Sequence, residues 1–402
     1  MDYIIDKSVI GHTKHLLCKD GEYSFVDDVD SSVMRVSKDS RHFEELVKLS
    51  LRQVSLDPPE RFTKMMSSFR ELQGASNLPW KSIMPTTAYR SFVDELTNVV
   101  DGFLSDAPVK YIEGTWDRAG VVFNNLKQVR VNKRELKRLI DAKEGNVHAL
   151  LSFVPTEGNL ARPVVYDRLS TSTGRLNVKS GPQVLTLKRE HRKQVIESVY
   201  GDDGEITCID FNALEPRVLL YEAGQKCEGD LYIALARALK DDANVSCTRN
   251  QSKGACICEM YGAGTDVLRD ALQCREEQID EASRAVKRFF GSRNVAKRVK
   301  QEFVRDGYVT SRFGRRITVD EPKDHVILNH FVQSTGVDVS LLAFSDITEK
   351  LKVSAPRVRP LFMVHDALFL DAPKEDVSKI DELLTVKVHT YVQRFYLKRT
   401  IV

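Results

Sequence analysis

Three short segments that lie far apart in the sequence constrain the fold of this chain more than any other feature. In order, they are Cys208-Ile209-Asp210-Phe211, Arg249-Asn250-Gln251-Ser252-Lys253 continuing to Tyr261-Gly262, and Val364-His365-Asp366. The first and last segments each carry an aspartate beside an apolar run, and the middle segment carries two cations and an aromatic residue. Each segment alone is common, so the information lies in their joint occurrence and order.

The first acid is predicted to lie at the end of a buried strand. Residues 205–210 form a largely apolar run that ends in Asp210. Pro216 and Gly224 are placed to begin and end a helix after it, because proline suits a first turn and glycine a C-terminal cap. Taken alone, such an aspartate is more simply a turn former or a helix cap.

The second acid is predicted to lie at the turn of a β-hairpin. Residues 361–364 and 367–370 are two apolar runs that are separated only by His365 and Asp366. Phosphoryl transfer with a pair of divalent ions, about 3.5–4 Å apart, requires carboxylates that converge from distant parts of a chain. The arrangement of both acids therefore favours a functional interpretation over two unrelated turn residues.

Between the two acids, one predicted helix carries a stripe of residues suited to a nucleotide. Arg249, Lys253, Ile257 and Tyr261 recur every four residues, so they share one helical face over roughly 18 Å. Arginine and lysine suit a triphosphate, and an aromatic ring suits the stacking of a base. A solvated helix with a core tyrosine has the same pattern. The position between the acids favours the nucleotide interpretation.

The three segments resemble motifs A, B and C of the family A DNA polymerases. Other segments resemble the same family: Ser172-Thr173-Gly174-Arg175-Leu176, Gly307-Tyr308-Val309-Thr310-Ser311-Arg312-Phe313-Gly314-Arg315-Arg316 and Asn329-His330-Phe331-Val332-Gln333-Ser334-Thr335-Gly336-Val337-Asp338. The resemblance is continuous from about residue 160 to 373. A weaker match covers residues 126–132, and the first hundred residues match nothing.

The resemblance implies a nucleotidyl-transfer site with two Mg²⁺ ions, which Mn²⁺ can replace. The ions are expected to bind Asp210, Asp366 and the backbone of Phe211, with Lys253 as the acid toward pyrophosphate. The residues expected around the incoming deoxynucleoside triphosphate are Arg249, Lys253, Ile257, Tyr261, Glu215 and Tyr232. The residues expected on primer–template DNA are Arg175, Asn329, Gln333, His365 and Arg315.

Four positions depart from the family pattern, so homology supports family membership more strongly than activity. Ile257 replaces an aromatic residue that packs on the nucleotide, and Ala367 replaces the glutamate after the second aspartate. Ala213 replaces a glutamine, and Tyr232 stands where the family has a histidine that helps to hold the phosphates. The two aspartates and the two phosphate-binding cations remain, and they carry the electrostatics of the reaction.

Two alternatives to a DNA polymerase stay open. A single-subunit RNA polymerase shares the helix spacing and often has small or non-aromatic residues at the departing positions. Glu215, five residues after the first aspartate, argues against it, because the RNA enzymes have a small residue where this carboxylate crowds a ribose 2′-hydroxyl. A catalytically weak, polymerase-derived nucleic-acid-binding protein is the other alternative. The residues whose retention argues against it are Asp210, Asp366, Arg249 and Lys253.

Composition agrees with an enzyme that binds nucleic acid in a reducing compartment. The 402 residues include 60 basic and 57 acidic side chains, a net charge of +3, so the basic residues matter through local clusters. One cluster covers residues 188–193, and another covers one long helical stretch, residues 284–305.

The seven scattered cysteines fit neither a zinc site nor a disulfide framework. Since no membrane span or signal peptide is evident, we expect the cytoplasm of the host cell.

The resemblance implies an α+β right-hand polymerase fold with an antiparallel palm sheet, helical fingers and a reduced thumb. The expected divisions are an N-terminal α+β region of unknown role (1–115), a reduced thumb or connector (116–172), the first part of the palm (173–228), fingers (229–305) and the second part of the palm (306–402). Within the thumb or connector region, the sequence predicts one helix over Lys133–Ala142, followed by strands. Asp27-Asp28-Val29-Asp30 is more typical of a solvated loop than of an exonuclease centre, so no proofreading is expected. The implied partners are primer–template DNA and deoxynucleoside triphosphates.

Overall fold

The computed structural model describes residues 2–28, 33–58, 60–73 and 78–402. The chain divides into two compact units, residues 1–112 and 113–402. Among the described residues, no helix is both long and apolar enough to cross a membrane.

The first unit is a small α+β structure. Its strands are β1 (Tyr3–Ile5), β2 (His15–Lys19), β3 (Glu22–Val26) and β4 (Met34–Val36), and its helices are α1 (Lys7–Ile10), α2 (Arg41–Ser50), α3 (Glu60–Gln73), α4 (Trp80–Ile83), α5 (Thr86–Asp106) and α6 (Val109–Tyr111). The strands form one sheet in the order β3-β2-β1-β4, in which only the β1–β4 pair is parallel. The apolar faces of α2 and α5 supply buried rings such as Phe43, Phe92 and Phe103 to the core.

The second unit is built around a five-stranded antiparallel sheet. Its strands are β5 (Arg130–Val131), β6 (Val165–Asp167), β7 (Asn177–Ser180), β8 (Ile196–Glu197), β9 (Gly204–Phe211), β10 (Val309–Thr310), β11 (Arg316–Ile317), β12 (Arg359–Val364), β13 (Ala367–Pro373), β14 (Thr385–Val386) and β15 (Phe395–Ile401). The main sheet has the order β12-β13-β9-β15-β14, and the shorter strands pair as β5–β8, β6–β7 and β10–β11. The hairpin β12–β13 turns at His365 and Asp366, as the sequence predicts.

Helices of the second unit pack against this sheet and against one another. They are α7 (Asp117–Asn125), α8 (Lys133–Asp141), α9 (Val147–Leu151), α10 (Arg189–Val195), α11 (Leu214–Glu222), α12 (Leu231–Ala243), α13 (Arg249–Tyr261), α14 (Thr265–Leu272), α15 (Ile279–Phe290), α16 (Ser292–Asp306), α17 (Asp324–Ser354) and α18 (Val377–Asp381). The 31-residue helix α17 is mostly buried, because α7, α11, α13 and α16 all pack against it. The main sheet shares one apolar core with α7 and with α11 to α18, and a second apolar core with α8, α9 and α10.

Three local predictions differ from the structure. The helix after β9 begins at Leu214, so Pro216 lies within the first turn instead of at its start. The basic stretch 284–305 is not one helix, because Gly291 takes a left-handed conformation (φ +59°) that ends α15 and begins α16. The short helix α9 follows α8 before any strand, whereas the sequence predicted strands directly.

Candidate active site

Three adjacent strands of the main sheet carry the acidic wall of a cavity. Asp210 on β9 lies directly opposite Ala367 on β13, so Asp366, which precedes Ala367, comes from the neighbouring strand end. The backbone N–H of Phe211 donates to the carbonyl oxygen of Asp366 at 3.4 Å. His365 occupies the turn with a left-handed backbone (φ +56°), a conformation that non-glycine residues rarely adopt. The register of the sheet therefore fixes the separation of the two acids.

The two carboxylates are less acidic than ordinary aspartates. Burial, followed by the negative charge of Asp366, raises the pKa of Asp210 to about 7, although the Phe211 N–H and Lys253 act against this rise. Burial also raises the pKa of Asp366, and the charge of Glu215 adds to it. Two partly desolvated carboxylates side by side disfavour double ionisation, and a bound cation removes that penalty. The arrangement of oxygen donors suits a hard divalent cation. In the described part of the chain, no cluster of three or more His, Cys, Asp or Glu side chains has metal-binding geometry.

Helix α13 forms the basic wall. Thr248 and Gln251 make a reciprocal capping box that fixes the start of the helix, and Gly262 (φ +66°) ends it. The residues of the predicted stripe, Arg249, Lys253, Ile257 and Tyr261, all line the cavity. Ile257 is 47% exposed and Tyr261 44%, so neither is a core residue. Tyr261 is therefore not a core tyrosine, and the nucleotide interpretation of the stripe stays a prediction.

Arg249 is held in place before any ligand binds. Its Nε donates to Oδ2 of Asp230 at 2.8 Å, and its guanidinium lies 5.1 Å from the ring centre of Tyr232. Asp230 also caps α12 by accepting from the backbone N–H groups of Tyr232 and Ile233. Burial acts to raise the pKa of Asp230, but the hydrogen bond from Arg249 keeps that pKa below its ordinary value.

A third wall carries a second ion pair. The guanidinium of Arg175 donates to Oε1 of Glu215 at 2.6 Å. Gln333 on α17 also lines the cavity and donates from Nε2 to Oδ1 of Asn329 at 3.0 Å. Gly336, one turn further along α17, also lines the cavity, and an added Cβ there would make an ordinary van der Waals contact with the Glu215 Cγ, at 3.6 Å. The cavity enclosed by the three walls has a volume of about 800 Å³.

Most of the predicted site residues meet in this cavity. They are Arg175, Asp210, Phe211, Glu215, Tyr232, Arg249, Lys253, Ile257, Tyr261, Gln333, His365 and Asp366. Asn329 is outside the lining and reaches it through Gln333. Of the departures from the family pattern, Ala213 lines the cavity in a left-handed conformation (φ +56°), and Ala367 lies in β13.

Arg315 does not reach the cavity, and its position disagrees with the predicted DNA contact. It is only 4% exposed, and its guanidinium donates to the carbonyl oxygen of Arg168 at 2.9 Å. It also lies under Gly174, where an added Cβ would come within 2.5 Å of its Nη1. Arg315 thus supports the loop that carries Arg175.

Two cavity residues were missed by the motif interpretation. Asp230 holds Arg249, and its signal is weak because a single N-cap aspartate is common. Lys398 on β15 lies directly opposite Asp210 and lines the cavity. The pairing of β15 with β9 is a long-range contact that no local pattern in the sequence indicates.

Comparison with known proteins identifies the second unit. The model of DNA polymerase family A matches residues 123–398, more than half of the chain. DNA polymerase I of Bacillus caldotenax is 24% identical over 244 residues, which are 55% of this chain and 28% of that protein. The DNA polymerase of Mycobacterium phage D29 is 27% identical over 195 residues, 44% of this chain and 30% of that protein. The matches therefore cover less than a third of the length of these curated relatives.

Among solved structures, the chain is similar to the POL domain of Pol1 from M. smegmatis, in complex with DNA primer-template and dNTP. The two share 16% identity with a TM-score of 0.49, over 90% of this chain and 63% of that chain. The family assignment rests on the match to the family model. That match includes all three motifs and extends beyond residues 160–373 in both directions. The chain belongs to DNA polymerase family A.

Proposed function

We propose that this chain is a template-directed DNA polymerase that adds deoxynucleotides to a primer 3′-hydroxyl by a two-metal mechanism. The observation that carries the proposal is the cavity in which a desolvated aspartate pair faces a helix bearing Arg249 and Lys253. Opposite charges on facing walls suit a ligand that combines divalent cations with a polyanion. A deoxynucleoside triphosphate with Mg²⁺ is such a ligand.

Asp210, Asp366 and the backbone carbonyl of Phe211 would hold two Mg²⁺ ions, with Mn²⁺ as a substitute. When bound, the ions lower the pKa of the primer 3′-hydroxyl and neutralise the triphosphate and the departing pyrophosphate. The raised pKa values of both aspartates fit this role, because a carboxylate pair that resists double ionisation gains most from a cation.

The cations of α13 would act on the phosphates. Arg249 is pre-oriented by Asp230, so less side-chain entropy is lost when its guanidinium meets an anion. Lys253 neutralises the β- and γ-phosphates and donates a proton to pyrophosphate as it leaves. Ile257 and Tyr261 flank the base, and the exposed ring of Tyr261 is the one available for stacking.

The remaining cavity residues would contact primer–template DNA. Arg175 and Gln333 are proposed to bind the minor-groove acceptors that every correct base pair presents, with Asn329 orienting Gln333. His365, exposed at the hairpin turn, is proposed to position the primer terminus. These contacts check the shape of a base pair more than its sequence.

The proposed function also assigns the subdomains of the right-hand polymerase fold. The main sheet would be the palm, the helices between residues 229 and 305 the fingers, and residues 116–172 a reduced thumb or connector. No proofreading is proposed within this chain. Asp27, from the predicted solvated loop, has a 73% exposed side chain that pairs with Lys14, while Val29 and Asp30 lie outside the described residues. The absence of primer shortening on a 3′-mismatched duplex, without nucleotides, tests this point.

Sugar choice separates DNA synthesis from the RNA-polymerase alternative. Glu215 is held by Arg175 at the cavity wall, where its carboxylate would crowd a ribose 2′-hydroxyl. We expect the wild-type chain to extend a primed DNA template with deoxynucleotides, and Glu215→Ala to raise the use of ribonucleotides relative to deoxynucleotides by about 100-fold or more. Equal use of both sugars by the wild type, unchanged in Glu215→Ala, would favour an RNA polymerase. Binding of primer–template without any extension would favour a catalytically weak binding protein.

A further inference from the structure

Lys398 is a cation of the cavity that the motifs do not include. On β15 it lies directly opposite Asp210, and directly opposed residues of an antiparallel pair project from the same face, with Cβ atoms about 4.5–5.5 Å apart. The next residue, Arg399, projects from the other face and pairs with Asp381 and Glu205. Lys398 itself is exposed and lines the cavity.

The cations of the cavity fall into two groups. Arg175 is paired with Glu215, and Arg249 is paired with Asp230. Within the part of the chain that the structure describes, neither Lys253 nor Lys398 has an ion pair or a side-chain hydrogen bond. An ammonium group without an acidic partner in a concave site is available to an anionic ligand, because no internal pair has to break.

The order of strands indicates which part of a ligand Lys398 would meet. Strands β13, β9 and β15 lie side by side, so Asp366, Asp210 and Lys398 follow one another across the sheet. The charges of Lys253 and Arg189 both lower the pKa of Asp210. Charges of Glu215, His365 and Arg175, the residues proposed for the sugar and primer side, act on Asp366. Lys398 therefore lies beyond Asp210, on the side away from the sugar and primer residues.

We propose that Lys398 binds the phosphates of the incoming nucleotide and of the pyrophosphate product, facing Lys253 across Asp210. The inference rests on the proposed polymerase function and adds a residue that determines nucleotide affinity. Tyr232 supplies a reason for such a residue. It stands where the family has a phosphate-holding histidine, and its phenol is buried beside Arg249 and carries no positive charge. Lys398 supplies a positive charge from the sheet side of the same cavity.

The test compares Lys398→Met with Lys398→Arg in the full-length chain. Lys387→Met is the matched control, because it removes an exposed lysine of the same C-terminal segment that does not line this cavity. Three quantities are measured for each protein: the KM for deoxynucleotide in single-nucleotide extension, the inhibition constant of pyrophosphate, and the Kd for primer–template by fluorescence anisotropy. Thermal denaturation checks that the variants are folded.

We expect Lys398→Met to raise the deoxynucleotide KM and the pyrophosphate inhibition constant by about tenfold, the loss of one charge-assisted contact. Primer–template Kd should change less than about twofold, and Lys398→Arg should retain most of the affinity. Unchanged KM and inhibition constants in a folded Lys398→Met protein would overturn the inference, as would a loss confined to primer–template binding.

The proposed polymerase function can fail separately. If the wild-type chain extends no primer, the proposed function is wrong, and titration calorimetry with Mg²⁺ and deoxynucleoside triphosphate still tests Lys398. Weaker binding by Lys398→Met than by Lys387→Met would then support a phosphate site without polymerase activity. Equal binding by the two variants, or no binding by the wild type, would contradict it.

Discussion

The two charged walls of the cavity are held by different kinds of structure. On the acidic wall, backbone pairing among β13, β9 and β15 sets where Asp210 can be, and burial raises its pKa. On the basic wall, α13 presents half-exposed side chains such as Ile257, which pack against little protein. The acidic wall is thus fixed and electrostatically unfavourable without a cation, while the basic wall is open and adaptable beyond Arg249, which Asp230 holds.

This difference separates rate from affinity in the proposed reaction. Groups that are fixed and desolvated contribute most when charge develops in a transition state, because they need no reorganisation. Groups on an exposed helical face contribute mainly to ground-state binding of the nucleotide. Substitutions on the acidic wall should therefore lower kcat, and substitutions on the basic wall should mainly change KM, except at Lys253, whose proposed proton transfer also affects kcat.

The largest expected effect comes from removing either acid. Asp210→Ala or Asp366→Ala should reduce primer extension by at least about a thousandfold, because each removes a ligand whose metal acts in the transition state. Primer–template Kd should stay within about threefold of the wild type. Single-turnover extension and fluorescence anisotropy measure the two quantities.

Asp320→Ala is the control, because Asp320 is exposed and does not line the cavity. It should leave both quantities unchanged. If either acid variant kept more than about a tenth of the wild-type rate, a loss of only ~1.4 kcal/mol, the two-metal assignment would be wrong.

Only part of the cavity and its surroundings could be predicted from the sequence. The β12–β13 hairpin follows from two local apolar runs and the helical stripe of α13 from the four-residue spacing, so the sequence alone predicts them. Lys398 could not be found this way, since its partner on β9 is nearly 190 residues away and strand register depends on long-range packing. Arg315 matched a motif, but a motif does not report burial, and the structure shows an internal guanidinium. The break at Gly291 was missed because the charges on both sides continue without interruption.

The second prediction tests whether the acidic wall is under electrostatic strain without metal. Burial and the charge of Asp366 raise the pKa of Asp210 to about 7 from its ordinary value of 3.8. Between these two pH values the native state retains a proton that the unfolded chain has lost, so the contribution of Asp210 to stability falls as pH rises. Above pH 7 the penalty is complete, and Asp210→Asn avoids it.

We therefore expect Asp210→Asn to be more stable than the wild type at pH 8 in metal-free buffer, with a difference that shrinks toward pH 5. Chemical denaturation at several pH values measures the free energy of unfolding of both proteins. Saturating Mg²⁺ should stabilise the wild type selectively, because the ion binds the native carboxylates. A stability difference that does not vary with pH would show that Asp210 is not strained, and would weaken the contrast between the two walls.

The smallest expected effect is on the basic wall, at Ile257. A tyrosine there would give the nucleotide base an aromatic surface, and base–aromatic stacking contributes about 1–3 kcal/mol at comparable sites. Because Ile257 is 47% exposed, the larger ring should be accommodated without overpacking, which in a core costs about 1–3 kcal/mol. We expect Ile257→Tyr to lower the deoxynucleotide KM several-fold, with kcat and the melting temperature nearly unchanged.

Ile233→Tyr is the control, because Ile233 is similarly exposed at 43% on α12 but does not line the cavity. A destabilised Ile257→Tyr protein with an unchanged KM would mean that this face of α13 packs against protein during the reaction, so that the basic wall is no more adaptable than the acidic one.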